Sequence, residues 1–222
     1  MIPFYLEEKI PKHPARYSKQ LLPILEEELK NFKFILDPMA GTGEALLSIR
    51  PDAWLVELQQ KWAAASKKIT FRSFVGDVHD LPWPDGFFDA IVTSPTYGNR
   101  MADHHNARDA SRRNTYRHVY GENLEPNNSG MLQWGDEYCE FHEKAWNECY
   151  RVTRSGGRLI LNIKNHIRNG KVIDVSQWHI LTLWYAGFTL IKIHEVQTPG
   201  QRHGANHHLR VGHENIFIFK KQ

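Results

Sequence analysis

Apolar residues along the chain change period several times, and each change marks an element. Residues 19–32, KQLLPILEEELKNF, set Leu21, Leu22, Ile24, Leu25 and Leu29 on one helical face. KFILD follows, a short apolar run ending in an acid and a glycine turn, which predicts a strand. EALLSI then reads as helix, AWLVEL as strand, QKWAAASKK as helix, FRSFVGD as a third strand and FFDAIVTS as a fourth running into PTYG. Further on, DEYCEFHEKAWNECYRVT predicts a long helix closed by RSGG, and RLILNIK a fifth strand. DVSQWHILTLWYAGF is a helix ending at Gly187, and TLIKIHEV and NIFIFKK form a closing hairpin-like pair. Strands alternating with helices predict a doubly wound, mostly parallel seven-stranded α/β sheet with an antiparallel strand at one edge.

Residues 99–135 interrupt this pattern. They have no clear period and are rich in Asn, Arg, His and Gly, and a loop of that length is usually functional or disordered. At 222 residues the chain is expected to form one domain, 1–222, with this stretch as an insertion. No apolar run is long enough for a membrane span. The first residues lack the basic-then-apolar layout of a signal peptide, so a cytoplasmic location is expected. The two cysteines, Cys139 and Cys149, match neither a zinc ribbon nor a CxxC redox pair and read as core thiols in a reducing compartment.

Net charge is only +3, so the distribution of charge says more than its sum. Arg100, Arg108, Arg112, Arg113 and Arg117 lie between Asn99 and His118, against Asp103 and Asp109. A second cluster, QRHGANHHLRVGH at 201–213, brings Arg202, His203 and Arg210. Solvated loops are the usual reading of such clusters, but both flank candidate chemistry. The paired histidines His104–His105 and His207–His208 have no accompanying acid or cysteine ligands, so no metal site is expected.

That chemistry begins at DPMAGTG, residues 37–43, at the end of the first strand, where open α/β sheets bind ligands. Gly41 and Gly43 let the backbone turn sharply and approach a ligand. Asp37 tips this strand, Glu57 ends the second and Asp77 ends the third. Three acids in a row disfavour a bare pyrophosphate and suit a nucleoside with a cationic group. S-adenosylmethionine fits, with its ribose on Glu57, its adenine amine near Asp77 and its ammonium end near Asp37. Pro38, Ala40, Thr42 and Val78 are expected beside them. NAD is disfavoured, since Leu46 stands where a third glycine would be needed.

Ser94–Pro95–Thr96–Tyr97 caps the fourth strand beside that site. The two stretches together resemble motifs I and IV of the nucleic-acid amino-methyltransferases: FILDPMAGTG is similar to their DPFxGxG segment, and IVTSPTYGNR to the TSPPY form typical of cytosine-N4 enzymes. KHPARYSKQLLPIL at 12–25 resembles an HPA-x-F/Y segment that helps enclose the cofactor, and HENIFIFKK the family's last strand. The resemblance spans nearly all the chain and implies a Rossmann-like class I methyltransferase fold. It also implies that Ser94 Oγ and the Pro95 carbonyl accept the two hydrogens of a base's exocyclic amine while Tyr97 stacks on the base. The base must be flipped out or single-stranded. Transfer is then direct, and no PC dipeptide of the cytosine-C5 kind occurs. Thr96 departs from the family, which has a second proline there, and a less preorganised turn is expected.

For a partner, DNA is expected and RNA is the alternative. The substrate would be met by Thr96, Asn99, the arginines of 99–117, Arg202 and His203. Trp134 and Tyr116 could stack on a base, although Trp134 equally reads as core. Serine at the first motif position favours cytosine-N4 over adenine-N6, since in the family aspartate goes mainly with adenine. No separate target-recognition region is visible, which fits a small bacterial or phage enzyme of the restriction–modification kind. A non-enzymatic reading, a nucleic-acid-binding relic, stands beside these.

Overall fold

The computed structural model describes residues 12–15, 17–102, 115–198 and 211–222. Helices α1 (Leu22–Leu29), α2 (Glu44–Ile49) and α3 (Gln60–Lys67) alternate with strands β1 (Ile35–Asp37), β2 (Trp54–Glu57) and β3 (Ser73–Val75). Then come β4 (Phe88–Thr93), α4 (Tyr116–Tyr120), α5 (Asp136–Val152), β5 (Thr153–Ile163), β6 (His166–Arg168) and β7 (Lys171–Ile173). Helix α6 (Val175–Tyr185), β8 (Phe188–Gln197) and β9 (His213–Lys221) complete the chain. The main sheet has the order β3-β2-β1-β4-β5-β9-β8. Strands β1 to β5 pair in parallel, while β9 is antiparallel to both β5 and β8. Antiparallel pairing thus gathers at one edge, as the sequence pattern implies. The winding reverses between β1 and β4, which opens a crevice at their carboxyl ends.

Period-two alternation explains how both faces are covered. In β1, Ile35 joins one apolar layer with Leu25 and Leu29 of α1, while Leu36 joins the other with Tyr138 and Trp146 of α5. The same division recurs in β9, where Ile216 and Ile218 face the α1 layer and Phe217 and Phe219 the α5 layer. Helix α1 carries Pro23 in its first turn, where the missing N–H has no intrahelical partner to lose. Helix α5 begins with Asp136 and Glu137, which complement the positive end of the helix dipole. No helix among the described residues is long and apolar enough to cross a membrane.

Three features differ from the sequence expectation. The RSGG stretch is not a loop after α5 but the irregular start of β5: Thr153 Oγ1 donates to the Cys149 carbonyl at 2.6 Å, and the chain passes directly into the strand. Gly156, with φ +73°, lies in this stretch, where the pairing register with β4 shifts between Phe88 and Ala90. Strands β6 and β7 form a small hairpin that the pattern missed, because these short strands bury no apolar run. Its turn, Asn169–Gly170, has φ +49° and +70°, the left-handed pair that tight hairpins require. Finally, the described parts of 99–135 are not structureless. They contain α4 and two 3-10 turns, Arg100–Ala102 and Ser129–Met131. Tyr116, Tyr120 and Leu124 bury themselves against Trp62 of α3.

Candidate functional site

Residues at the ends of β1, β2 and β4, with the loop after β3 and the start of β9, line one cleft, with about 1290 Å³ of empty space counting its open mouth. The turn after β1 is tight. Ala40 N donates to Val56 O at 3.0 Å and Gly43 N to Ala40 O at 2.9 Å. Gly43 has φ +65°, and a Cβ there would lie 2.4 Å from Leu55 Cδ1, so both backbone and space demand glycine. Glu57, 7% exposed, accepts from Gly41 N and from Gln59 N, each at 2.8 Å. Asp37, 2% exposed, accepts from Met39 N at 3.1 Å. The Tyr17 and Thr93 hydroxyls border Asp37 and partly counter its burial, yet neither attains hydrogen-bond geometry with any partner.

Burial pushes the carboxyls of both Asp37 and Glu57 up to about 7. No cation among the described residues pairs with either, so ionising them is costly until a positive group arrives. Asp77 is differently placed. One oxygen takes His79 N at 2.9 Å and pairs with His79 Nδ1 at 3.0 Å, and the other accepts from Asn127 Nδ2 at 3.3 Å. Pro38, Thr42 and Val78 line the same cleft, as do His13 and Tyr17 of the HPA-x-Y segment. Two buried, unneutralised carboxylates with lone pairs left for hydroxyl donors fit a ribose-bearing cation. The site is therefore chemically suited to S-adenosylmethionine.

Across the cleft, the turn after β4 carries the second cluster. Ser94 Oγ lies 3.1 Å from Tyr97 Oη. Asn162 of β5 points its amide nitrogen at both, 3.2 Å from each, and at Glu214 Oε2, also 3.2 Å. Glu214 Oε1 in turn accepts from Ser18 Oγ at 3.3 Å. The carboxylate fixes the amide's orientation, since the flipped form would set its carbonyl against Glu214. Burial, with Glu214 beside it, pushes the Tyr97 phenol well above its ordinary value, so it stays a neutral hydroxyl. Either hydroxyl can donate in the Ser94–Tyr97 pair. When the serine gives its proton to Tyr97 Oη and accepts from Asn162, one serine lone pair remains for a ligand in the cleft.

The expected residues divide clearly. Asp37, Pro38, Ala40, Thr42, Gly43, Glu57, Asp77, Val78, Ser94, Pro95, Thr96, Tyr97 and Asn99 all line the cleft, and Gly41 contributes its N–H to Glu57. The Thr96 hydroxyl is committed to the Ser129 carbonyl at 3.1 Å, and Asn99 Oδ1 accepts from Met101 N at 2.9 Å, so both side chains hold their own loops. Arg117 lies on α4, whose Tyr116 and Tyr120 pack on Trp62 of α3, and is not among the residues that line the cleft. Arg108, Arg112, Arg113, Arg202 and His203, with the paired histidines His104, His105, His207 and His208, lie outside the described residues, as does the Arg100 side chain. Tyr116 is 6% exposed beside Trp62 and lines the cleft. Trp134 packs 5.3 Å from Tyr138 and 5.8 Å from Trp178, centroid to centroid, as its core reading implies.

Sequence reasoning missed Asn162 and Glu214 as members of the site. A lone asparagine within the apolar run LILNI was the available signal for the first. The second stood at the head of the HENIFIF strand, where an acid precedes a buried stretch.

The family model described as DNA methylase, of the N6 and N4 methyltransferase type, matches residues 88–222. The chain belongs to that family. The matched region begins with β4, so it contains the Ser94–Tyr97 turn, Asn162 and Glu214, whereas the Asp37–Gly43 turn precedes it. The cofactor is S-adenosylmethionine. No curated protein matches the chain at a significant level.

Among solved structures, the chain resembles a methyltransferase of Thermotoga maritima described as a possible histamine N-methyltransferase. The identity is 15%, coverage is 91% of this chain and 88% of that one, and the TM-score is 0.56. It is also similar to a Burkholderia thailandensis 1,6-didemethyltoxoflavin N1-methyltransferase with bound S-adenosylhomocysteine, at 14% identity, 92% and 77% coverage and a TM-score of 0.55. A [4+2]-cyclase matches as well, with 16% identity, 90% and 80% coverage and a TM-score of 0.55. At such identities the likeness is one of fold, a Rossmann-like methyltransferase fold. The cyclase shows that function must be argued from the site.

Proposed function

We propose that the protein transfers a methyl group from S-adenosylmethionine to an exocyclic amine of a DNA base, with cytosine-N4 as the preferred target. The observation that carries this reading is that Ser94 and Pro95 open onto the same cleft as the buried acids Asp37 and Glu57. A cytoplasmic DNA-modifying role in a bacterial or phage-infected cell goes with it.

Asp37, Glu57 and Asp77 would hold the cofactor, with Pro38, Ala40, Thr42 and Val78 around it and the amides of Gly41 and Gly43 close by. When bound, the cofactor supplies an electrophilic methyl on a sulfonium. A base's exocyclic amine is a poor nucleophile because its lone pair is conjugated with the ring. Ser94 Oγ and the Pro95 carbonyl each accept one amine hydrogen, which turns the lone pair out of the ring plane and toward the methyl. Proline at 95 fixes φ near −65° and holds that carbonyl in place. Tyr97 offers its ring to the base while its hydroxyl stays with Ser94 and Asn162. Thr96, Asn99 and Arg117, with Arg100, Arg108, Arg112, Arg113, Arg202 and His203, would meet the nucleic acid, the arginines through phosphates.

The test is incubation with labelled cofactor and separate DNA and RNA pools, followed by digestion to nucleosides and mass identification. N4-methylcytosine in DNA is the expected product. N6-methyladenine in DNA would overturn the base assignment alone, and label only in RNA the substrate class. DNA affinity should fall steeply with salt, and removing one arginine contact should flatten the log–log slope by about one unit.

A further inference from the structure

Position 96 of the catalytic turn holds threonine where the family's tetrapeptide has proline, yet this residue is held from two sides. Its hydroxyl donates to the Ser129 carbonyl at 3.1 Å, and its own carbonyl accepts from Tyr138 Oη at 2.7 Å. Tyr138 does not act alone. Its hydroxyl lies 2.8 Å from His179 Nε2, and His179 Nδ1 lies 3.0 Å from Trp146 Nε1. Tyr138, Trp146 and His179 are each 0% exposed.

The direction of every hydrogen in this chain is determined. An indole N–H can only donate, so His179 Nδ1 must be a bare acceptor. Burial holds His179 neutral, far below its ordinary pKa, so its single hydrogen sits on Nε2 and is donated to Tyr138 Oη. The tyrosine's proton is then left for the Thr96 carbonyl, which can only accept. The His142 ring packs 4.1 Å from the Tyr138 ring and leaves the phenol little room to swing. Helices α5 and α6 thus reach through the core to one peptide group of the catalytic turn.

We propose that Tyr138 is a positioning residue that stiffens the turn a second proline would stiffen: it fixes the peptide plane between Thr96 and Tyr97. The Thr96 C=O lies in the rigid plane shared with the Tyr97 N–H, so anchoring that oxygen sets the entry of the chain into Tyr97. Proline stiffens the turn one bond earlier, by fixing φ of residue 96. Threonine leaves that φ free, and the buried relay restrains the peptide plane that follows it instead. The inference rests on the methyl-transfer reading for its effect on rate, though not for the anchoring itself.

The experiment compares wild type, Tyr138→Phe, Thr96→Pro and the double variant. Tyr138→Phe should lower kcat by about 10-fold or more, within the range that small misplacements of reacting groups produce. Cofactor Kd should stay within about twofold, because Tyr138 is not among the residues that line the cleft. Adding Thr96→Pro to Tyr138→Phe should restore most of the lost kcat, a rescue that general loss of packing would not show. Hydrogen exchange of the 97–99 amides, read without any substrate, should quicken in Tyr138→Phe and slow again in the double variant. Unchanged kcat and exchange in Tyr138→Phe would overturn the proposal, as would a folded double variant with no recovery in either. If Tyr138→Phe does not fold, nitrogen NMR of wild-type His179 decides: a hydrogen on Nε2 and none on Nδ1 is expected, and the opposite tautomer breaks the relay. Wild-type protein that methylates neither DNA nor RNA would sink the methyl-transfer reading and leave the exchange result to judge the anchor.

Discussion

The side-chain nitrogen of Asn162, on β5, stands 3.2 Å from Ser94 Oγ in the turn after β4, 68 positions away. That nitrogen faces Ser94, Tyr97 and Glu214 together, so Asn162 orients the serine hydroxyl in the cleft. Asn162→Ala is expected to lower kcat by about 10- to 100-fold. Calorimetry should find cofactor affinity nearly unchanged. Wild-type kcat in a folded Asn162→Ala protein would remove this residue from the site.

Acidity gives a second expectation, with a definite sign. The folded carboxyls of Asp37 and Glu57 titrate at about 7, above their ordinary values of 3.8 and 4.5. The cofactor-free protein therefore holds protons that the unfolded chain has released. The associated stability is fully present below about pH 4 and is lost as pH rises through about 7. A cationic ligand needs the ionised forms, so its affinity moves the other way. S-adenosylmethionine should bind up to about tenfold more weakly per pH unit below 7 for each proton displaced. Calorimetry in buffers of different ionisation enthalpy would detect proton release on binding near pH 6.5. Affinity flat from pH 5.5 to 8 would show that the cofactor does not meet these carboxylates as ions.

Gly43 offers a test of the cofactor turn itself. Gly43→Ala must accommodate φ +65° and a carbon 2.4 Å from Leu55 Cδ1. We expect a loss of stability of roughly 1–3 kcal/mol, read by denaturant unfolding, and weaker cofactor binding. A fully stable variant with wild-type affinity would mean that the turn relaxes freely.

Tyr97 separates ring from hydroxyl. Tyr97→Ala should cost roughly 1–3 kcal/mol of base stacking while cofactor affinity stays nearly intact. Tyr97→Phe keeps the ring but removes the partner of Ser94 Oγ, so kcat should fall while substrate KM holds. If cofactor binding collapses in Tyr97→Phe, its hydroxyl supports the cofactor side of the cleft.

The sheet was legible because its strands are framed by period changes and acid-glycine ends; β1, β2 and β4 fall within their predicted segments. The hairpin of β6 and β7 was not, since these short strands bury no apolar run, unlike β1, and only the Asn169–Gly170 pair announced it. At the site, residues adjacent in sequence were readable as two turns. Asn162 and Glu214 were not, because they join Ser94 only through the pairing of β4 with β5 and of β5 with β9. The role of Tyr138 was hidden for a similar reason: an aromatic residue on the buried face of a helix looks like packing until its hydroxyl is traced to Thr96.

Ser18 and Glu214 meet across 196 positions of chain. Synthesis runs from the amino end, so the cofactor turn, the Ser94–Tyr97 turn and Asn162 all exist before Glu214 has been made. The strand bearing that carboxylate must pair between β5 and β8, a non-local step that sheets complete late. On the proposed reading, competence for transfer arrives after the pieces assigned to hold the cofactor. Ribosome-stalled chains of increasing length should gain transfer only once His213–Lys221 has cleared the exit tunnel.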